Sequence, residues 1–159
     1  PDDKRVLSVE DTRELVIPHQ NQVNYVVSRN EATPAVGYSH VIDHLMRSRP
    51  DIILAGELSI ANTFPVLRLL NSGHKGFMCT LHANSPNLAL DEAIPANVML
   101  SGNPAQGVSE YLRKTVDVVI QLHRLPSGKR EVTEVLFPIT GEQQMLSHGL
   151  QCEKHQDNR

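Results

Sequence analysis

Apolar residues along the chain fall into short unbroken runs separated by stretches with helical spacing, the alternation expected of strands followed by helices. Arg5-Val6-Leu7-Ser8-Val9 reads as a strand and Val23 to Val27 as a second β-like run. Residues 30–37, polar and containing Pro34 and Gly37, read as a loop. Ser39 is placed to cap a helix whose apolar face is Ile42, Leu45 and Met46 at i, i+3 and i+4, and Pro50 prevents its continuation. Ile52, Ile53, Leu54 and Ala55 follow without polar alternation, which predicts a central strand covered on both faces in a parallel sheet.

Downstream, Phe64, Leu67 and Leu70 share one helical face, but Pro65 is costly inside a helix. The helix is therefore expected to start near Thr63, with Pro65 in its first turn, and to stop at Asn71-Ser72-Gly73. Gly76 to Leu81 reads as the next strand, and Asn84, Ser85 and Pro86 open another helix, which Pro95 is expected to interrupt. Ser101-Gly102-Asn103-Pro104 separates it from a helix around Gln106 to Lys114. The pattern then changes. Residues 117–123 and 131–137 flank the turn Pro126-Ser127-Gly128-Lys129 and read as a hairpin. The expected architecture is α/β, a mostly parallel sheet flanked by helices with a C-terminal β-hairpin, over residues 1–140. Residues 141–159, rich in Gln, His, Glu and Asn, are expected to form a disordered tail.

The composition, 40% apolar and 21% charged over 159 residues, is ordinary for one compact domain. No apolar run approaches the roughly 20 residues that span a bilayer, and the N-terminal Pro1-Asp2-Asp3-Lys4-Arg5 does not read as a signal peptide. Cys79, in an apolar run and expected to be a buried inert thiol, and Cys152, in the polar tail, do not form a disulfide framework. A reducing, cytoplasmic setting is expected. The net charge of −3, with basic residues scattered, argues against nucleic acid as a direct tight ligand.

Three strands end in ionisable residues: Glu10 and Asp11 after the first, Glu57 after the strand at Ile52 to Ala55 and His82 after the next. Ligands of open α/β sheets gather at the carboxyl ends of strands, so the topology would bring these groups to one edge. Carboxylates with an imidazole suit hydrolysis: one acid orients a metal-bound water, another polarises the attacking water, and histidine donates to developing negative charge. Three helix caps and a solvated histidine are the competing account. His74, Cys79 and His82 are zinc-ligand types, but strand parity turns Cys79 away from residue 82. Ser127-Gly128-Lys129 lacks the context of a phosphate loop, with His123 where glycine is needed and Arg130 where serine or threonine is needed.

Five linked motifs carry a resemblance: Val9-Glu10-Asp11-Thr12-Arg13-Glu14-Leu15, Met46-Arg47-Ser48-Arg49-Pro50-Asp51, Gly56-Glu57-Leu58, Asn71-Ser72-Gly73-His74 and Thr80-Leu81-His82-Ala83-Asn84-Ser85. Over about residues 4 to 138 the chain resembles the secretion ATPase superfamily, nearest to the hexameric traffic ATPases of type IV secretion and conjugation. The resemblance implies a partial RecA-like P-loop NTPase core. It places Glu10 and Asp11 in the acidic box, Gly56 and Glu57 in the Walker B element, and Gly73, His74, Thr80 and His82 in the histidine box. ATP and Mg2+ are the implied cofactors. Glu57 would polarise the attacking water, Glu10 would help hold magnesium through water, and His82 would sense or stabilise the γ-phosphate. Asp11, Arg13, Gly56 and Thr80 are the implied cofactor-binding residues. The implied partners are copies of the same chain in a hexameric ring and components of a secretion machine at the cytoplasmic face of the inner membrane.

Family members carry a phosphate loop and an N-terminal domain before the strand at Val6 to Val9, so this chain is expected to be the C-terminal half of such an ATPase, inactive alone. The missing strand and helix would leave the sheet beside that strand exposed. Ser59 replaces the arginine usual after Gly-Glu-Leu, and Pro65 and Pro95 fall in segments that are normally continuous helix. These departures support an alternative, a non-catalytic interaction module that keeps the fold without binding nucleotide.

Overall fold

The computed structural model describes residues 3–27, 37–73 and 76–146. Much of the predicted loop 30–37, His74, Cys152 and the tail from 147 lie outside the described residues. Four strands, β1 (Val6–Glu10), β2 (Gln22–Val26), β3 (Ile52–Ala55) and β4 (Gly76–Cys79), pair in parallel in the order β2-β1-β3-β4. The register aligns their carboxyl ends: Val9 lies beside Ala55, and Ala55 beside Cys79. Backbone and side chain of Asp51 start this alignment. Its carboxylate accepts the Arg5 N–H at 2.8 Å while its own N–H donates to the Arg5 carbonyl at 2.9 Å.

Parallel neighbours point the same way, so Leu7, Val9, Ile53, Ala55 and Phe77 share one face. They pack with side chains from α1 (Tyr38–Arg47), α2 (Thr63–Leu67), α4 (Ile94–Leu100) and α5 (Val108–Thr115) in a single core cluster that includes Ile42, Leu45, Val66, Val98 and Leu112. The opposite face is less covered. Ile52 and Leu54 are half-buried, while Val26 and Met78 are 51% and 60% exposed. The expectation of cover on both faces of β3 is thus corrected: an unbroken apolar run does not reveal which side the helices take. β1 itself is buried along its whole length between β2 and β3, so the exposure expected beside Val6 to Val9 falls instead on β2 and β4.

Several helix boundaries differ from the pattern for local reasons. The extended residue before α1 is Gly37, two positions earlier than the predicted cap, so Ser39 lies inside the helix. Pro65 does sit in the first turn of α2, but the regular helix ends at Leu67, and turns carry the chain to Gly73. Val66, Leu67 and Leu69 point inward, while Phe64 is 39% exposed. Ser85 caps α3 (Pro86–Leu88) as expected, its hydroxyl accepting the Leu88 N–H.

Pro95 does not interrupt the helix. A π-helical stretch, Ala89–Ala93, joins α3 to α4 with Ala89, Ala93 and Ile94 all in right-handed helical conformation. Proline removes a hydrogen bond and crowds the carbonyl four residues earlier, and a wider turn just ahead of it accommodates both effects. Asp91, within that stretch, is gripped by the Arg113 guanidinium and the Ser109 hydroxyl of α5.

The predicted hairpin is present as β5 (Val119–Arg124) and β6 (Arg130–Phe137), with a bulge at Gln121/Leu122. The start of the segment expected to be a tail is ordered: Glu142–Met145 forms β7 and pairs antiparallel with β6. Backbone pairing needs no apolar side chains, and all four residues of β7 are exposed, which is why hydropathy missed it.

Ile53 is fully buried in the central strand, so Ile53→Ala should destabilise the chain by about 2–5 kcal/mol in chemical denaturation. The Arg113 guanidinium, then the Ser109 hydroxyl, holds the Asp91 carboxyl below the usual carboxylate range. A depressed folded-state value gives stability that is complete above the unfolded value, about pH 4, and is lost as pH falls through the folded one. The melting temperature of Asp91→Asn should therefore lie below wild type at pH 7 and converge on it as the pH drops below about 4.

Candidate functional site

Strand register and two side chains at the strand tips build the site. The Gly56 N–H donates to the Val9 carbonyl at 3.0 Å, extending the β1–β3 ladder by one residue. The Thr80 hydroxyl donates to the Gly56 carbonyl at 2.5 Å, and the Leu58 N–H donates to the Thr80 carbonyl at 2.8 Å. β3 and β4 are thus clamped together just past their regular ends, on both sides of Glu57. His82, two residues after the clamp, brings Nε2 to 3.0 Å from Glu57 Oε1. Its side chain is 95% exposed and that of Glu57 40%, so the pair faces solvent.

Glu10 occupies a different position. It is 4% exposed, and its Oε1 accepts the N–H groups of Glu14 and Leu15 at 3.0 and 2.8 Å, which folds the 11–15 segment back over the end of β1. The side chain lies against Gly56: a Cβ there would come within 2.9 Å of Glu10 Cγ. Glycine at 56 is therefore a steric requirement of the carboxylate beside it. Asp11 follows at the same strand end, while Arg13 is exposed and makes no hydrogen bond or ion pair among the described residues.

The ends of β1, β3 and β4, which carry Glu10 and Asp11, Glu57 and His82, therefore lie at one edge of the sheet, as the strand pattern predicted, and Gly56 and Thr80 sit among them. Sequence reasoning missed Asn62, which is 3% exposed and closes the turn after Glu57. Its Nδ2–H donates to the Glu57 carbonyl, and its Oδ1 accepts the Ser59 N–H, both at 2.8 Å. An asparagine just ahead of a helix is a turn and cap signal, but only the fold shows that it grips Glu57. The Ser59 hydroxyl is buried without a partner among the described residues, while the Ser59 carbonyl accepts the Thr63 hydroxyl at 2.6 Å. Glu57, Ser59, Ile60, His82, Ala96 and Asn97 line a cleft of about 610 Å³ between this turn and α4.

Cys79 departs from expectation, since the residue is exposed rather than buried. Desolvation of the thiol nevertheless pushes its pKa up to about 11, which keeps it protonated and a poor nucleophile near neutral pH. Among the described residues no group of three His, Cys, Asp or Glu is placed to hold a metal ion, and no helix is long and apolar enough to cross a membrane. Oxygen ligands suit magnesium, and the accessible Glu57 carboxylate fits that chemistry. Glu10 has Oε1 committed to two backbone donors.

Comparison with known proteins agrees with this fold. A family model described as "Type II/IV secretion system protein" matches residues 1–158. The type IV secretion system protein VirB11 of Bartonella henselae is 33% identical over 144 residues, covering 86% of this chain and 39% of that protein. The protein VirB11 of Agrobacterium fabrum is 35% identical over 120 residues, covering 75% and 34%. Among solved structures, the VirB11 ATPase of the Brucella suis type IV secretion system, in complex with sulphate, aligns with a TM-score of 0.70 at 27% identity, over 86% of this chain and 41% of that one. The pilus retraction motor PilT with bound ADP shares the fold, with a TM-score of 0.59 at 23% identity over 85% of this chain and 39% of that one. The chain thus spans about two fifths of the length of these relatives. With the converging strand tips, the RecA-like fold and a family model covering almost every residue, the chain belongs to the type II/IV secretion system protein family.

Proposed function

We propose that the chain forms the C-terminal part of a traffic ATPase that hydrolyses ATP to power type IV secretion or conjugative transfer. The observation that carries this reading is the Glu57–His82 pair, held at 3.0 Å at the clamped tips of adjacent parallel strands. Residues 1–140 would belong to a RecA-like ATPase domain whose phosphate loop lies upstream. The complete protein would work as a homo-hexameric ring at the cytoplasmic face of the inner membrane, among the components of a secretion machine.

In this reading Glu57 accepts the proton of the attacking water. A carboxylate fixed by its backbone and partly shielded from solvent lowers the barrier mainly by orienting that water and stabilising the charge it develops. His82 Nε2–H is free to turn from Glu57 to a phosphate oxygen, because the ring is almost wholly exposed. Bound Mg2+ supplies the positive charge that offsets the phosphate oxygens. Glu10 keeps the 11–15 segment, with Asp11 and Arg13, at the rim of the site. Thr80 acts through the Gly56 carbonyl, fixing the peptide that precedes Glu57.

A second reading, a non-catalytic module that keeps the fold, has one observation in its favour. Ser59 stands where the resemblance puts an arginine, and its hydroxyl is buried without a partner among the described residues.

The two readings separate in a protein in which residues 1–159 follow their upstream coding sequence. Steady-state ATPase rates of Glu57→Gln should fall by about 10²- to 10⁴-fold, with nucleotide affinity within a few-fold of wild type. His82→Ala should cost the transition state about 1.5–3 kcal/mol, one hydrogen bond to a charged oxygen. No measurable turnover in the wild-type protein would favour the non-catalytic module. For residues 1–159 alone, titration calorimetry should find magnesium-ATP binding at millimolar affinity or none. Carboxylates repel a polyanion, and the groups that cradle its phosphates would lie upstream. Micromolar binding would contradict that division of labour.

A further inference from the structure

The turn that carries Glu57 is held from two directions. From the β4 side the Thr80 hydroxyl and carbonyl fix the Gly56 carbonyl and the Leu58 N–H, one on each side of Glu57. On its C-terminal side one side-chain amide does the equivalent work: Asn62 Nδ2–H donates to the Glu57 carbonyl while Oδ1 accepts the Ser59 N–H. Both distances are 2.8 Å, and the asparagine is 3% exposed, so its amide is shielded from bulk water. A primary amide offers a donor and an acceptor side by side, which matches the carbonyl and the N–H it meets across this turn. Neither aspartate nor leucine reproduces that pair.

The next residue locks Asn62 in turn. The Thr63 hydroxyl donates to the Ser59 carbonyl at 2.6 Å, and Asn97 Nδ2–H from α4 reaches the Thr63 hydroxyl at 3.3 Å. A continuous chain of polar contacts therefore runs from α4 through Thr63 and Ser59 to Asn62 and the Glu57 carbonyl. Without the amide, the half-buried Glu57 carbonyl and Ser59 N–H would lose their partners, and the peptide after Glu57 would be held only by its Leu58 N–H on the Thr80 carbonyl, leaving its tilt less fixed. The Glu57 carboxylate hangs from that peptide, so its aim at His82 Nε2 depends on it.

We propose that Asn62 is the positioning residue for Glu57, setting the direction of its carboxylate from the buried side of the turn. The inference rests on the hydrolytic reading of Glu57. Asn62 does not touch the reacting groups and acts only through the Glu57–Ser59 backbone.

The test combines a local and a catalytic measurement. In residues 1–159, amide hydrogen exchange by NMR should show the Ser59 N–H exchanging at least tenfold faster in Asn62→Leu, with the strand amides of Ile53 and Leu54 unchanged. In the longer protein, Asn62→Leu should lower kcat by about 10- to 100-fold, the scale expected when a catalytic group is misplaced by about 1 Å, and leave KM within about twofold. Asn62→Asp keeps the acceptor for Ser59 but removes the donor to Glu57. It should lower kcat even if its melting temperature matches wild type.

The background of Glu57→Gln separates positioning from general damage. If Asn62 acts through Glu57, adding Asn62→Leu to Glu57→Gln should reduce turnover by less than about twofold, since the group being aimed is already disabled. An equal loss in both backgrounds would overturn the proposal, as would normal kcat in Asn62→Leu or Asn62→Asp. Unimpaired turnover in Glu57→Gln itself would instead overturn the hydrolytic reading on which this one stands.

Discussion

Much of the site depends on one close approach, the Glu10 side chain lying 2.9 Å from where a Cβ of residue 56 would be. That contact requires glycine at the end of β3 and brings β1 and β3 into register up to their last residues. The Gly56 peptide then joins three strands: its N–H is bonded to β1, and its carbonyl is bonded to the hydroxyl that follows β4. A larger residue at 56 would have to move either the buried carboxylate or the strand, and either change would also displace Glu57. The core beneath, built on Leu7, Val9, Ile53 and Ala55, gives the sheet enough rigidity for such a contact to define geometry.

The site is layered from this constraint outward. Buried Glu10 shapes the segment that follows β1, half-exposed Glu57 is held by its backbone on both sides, and exposed His82 is held only through its loop and its contact with Glu57. Further from the sheet, the Gln121 amide donates to the Ala83 carbonyl at 3.1 Å, which ties the His82 loop to the C-terminal sheet. Rigidity thus falls from the buried acid to the exposed imidazole. That order suits a site in which one carboxylate must stay fixed while a histidine exchanges one hydrogen-bond partner for another.

Most strands were legible because their signals are local. Runs at Val6 to Val9, Ile52 to Ala55 and Gly76 to Leu81, the last of which stops pairing at Cys79, led into ionisable residues, and the parallel order put those ends together, so the meeting of Glu57 and His82 could be anticipated. Ser85 and Pro86 marked a helix start for the same reason. What escaped depends on partners distant in sequence or on backbone alone. The exposed strand β7 is held by pairing with β6, and Pro95 is accommodated by a π turn that residue type does not announce. In the site, burial of Glu10 and the grip of Asn62 on Glu57 required knowing which surfaces the turns cover.

The central claim is that strand register makes Glu57 and His82 one functional unit rather than two neighbours. A double-mutant cycle on steady-state ATPase rates tests it most directly, using Glu57→Gln, His82→Ala and the double variant in the protein that includes the upstream sequence. Side chains in direct contact that serve the same step act non-additively, so the double variant should be little slower than Glu57→Gln alone, with a coupling of at least about tenfold. Rate losses that simply multiply would contradict the account.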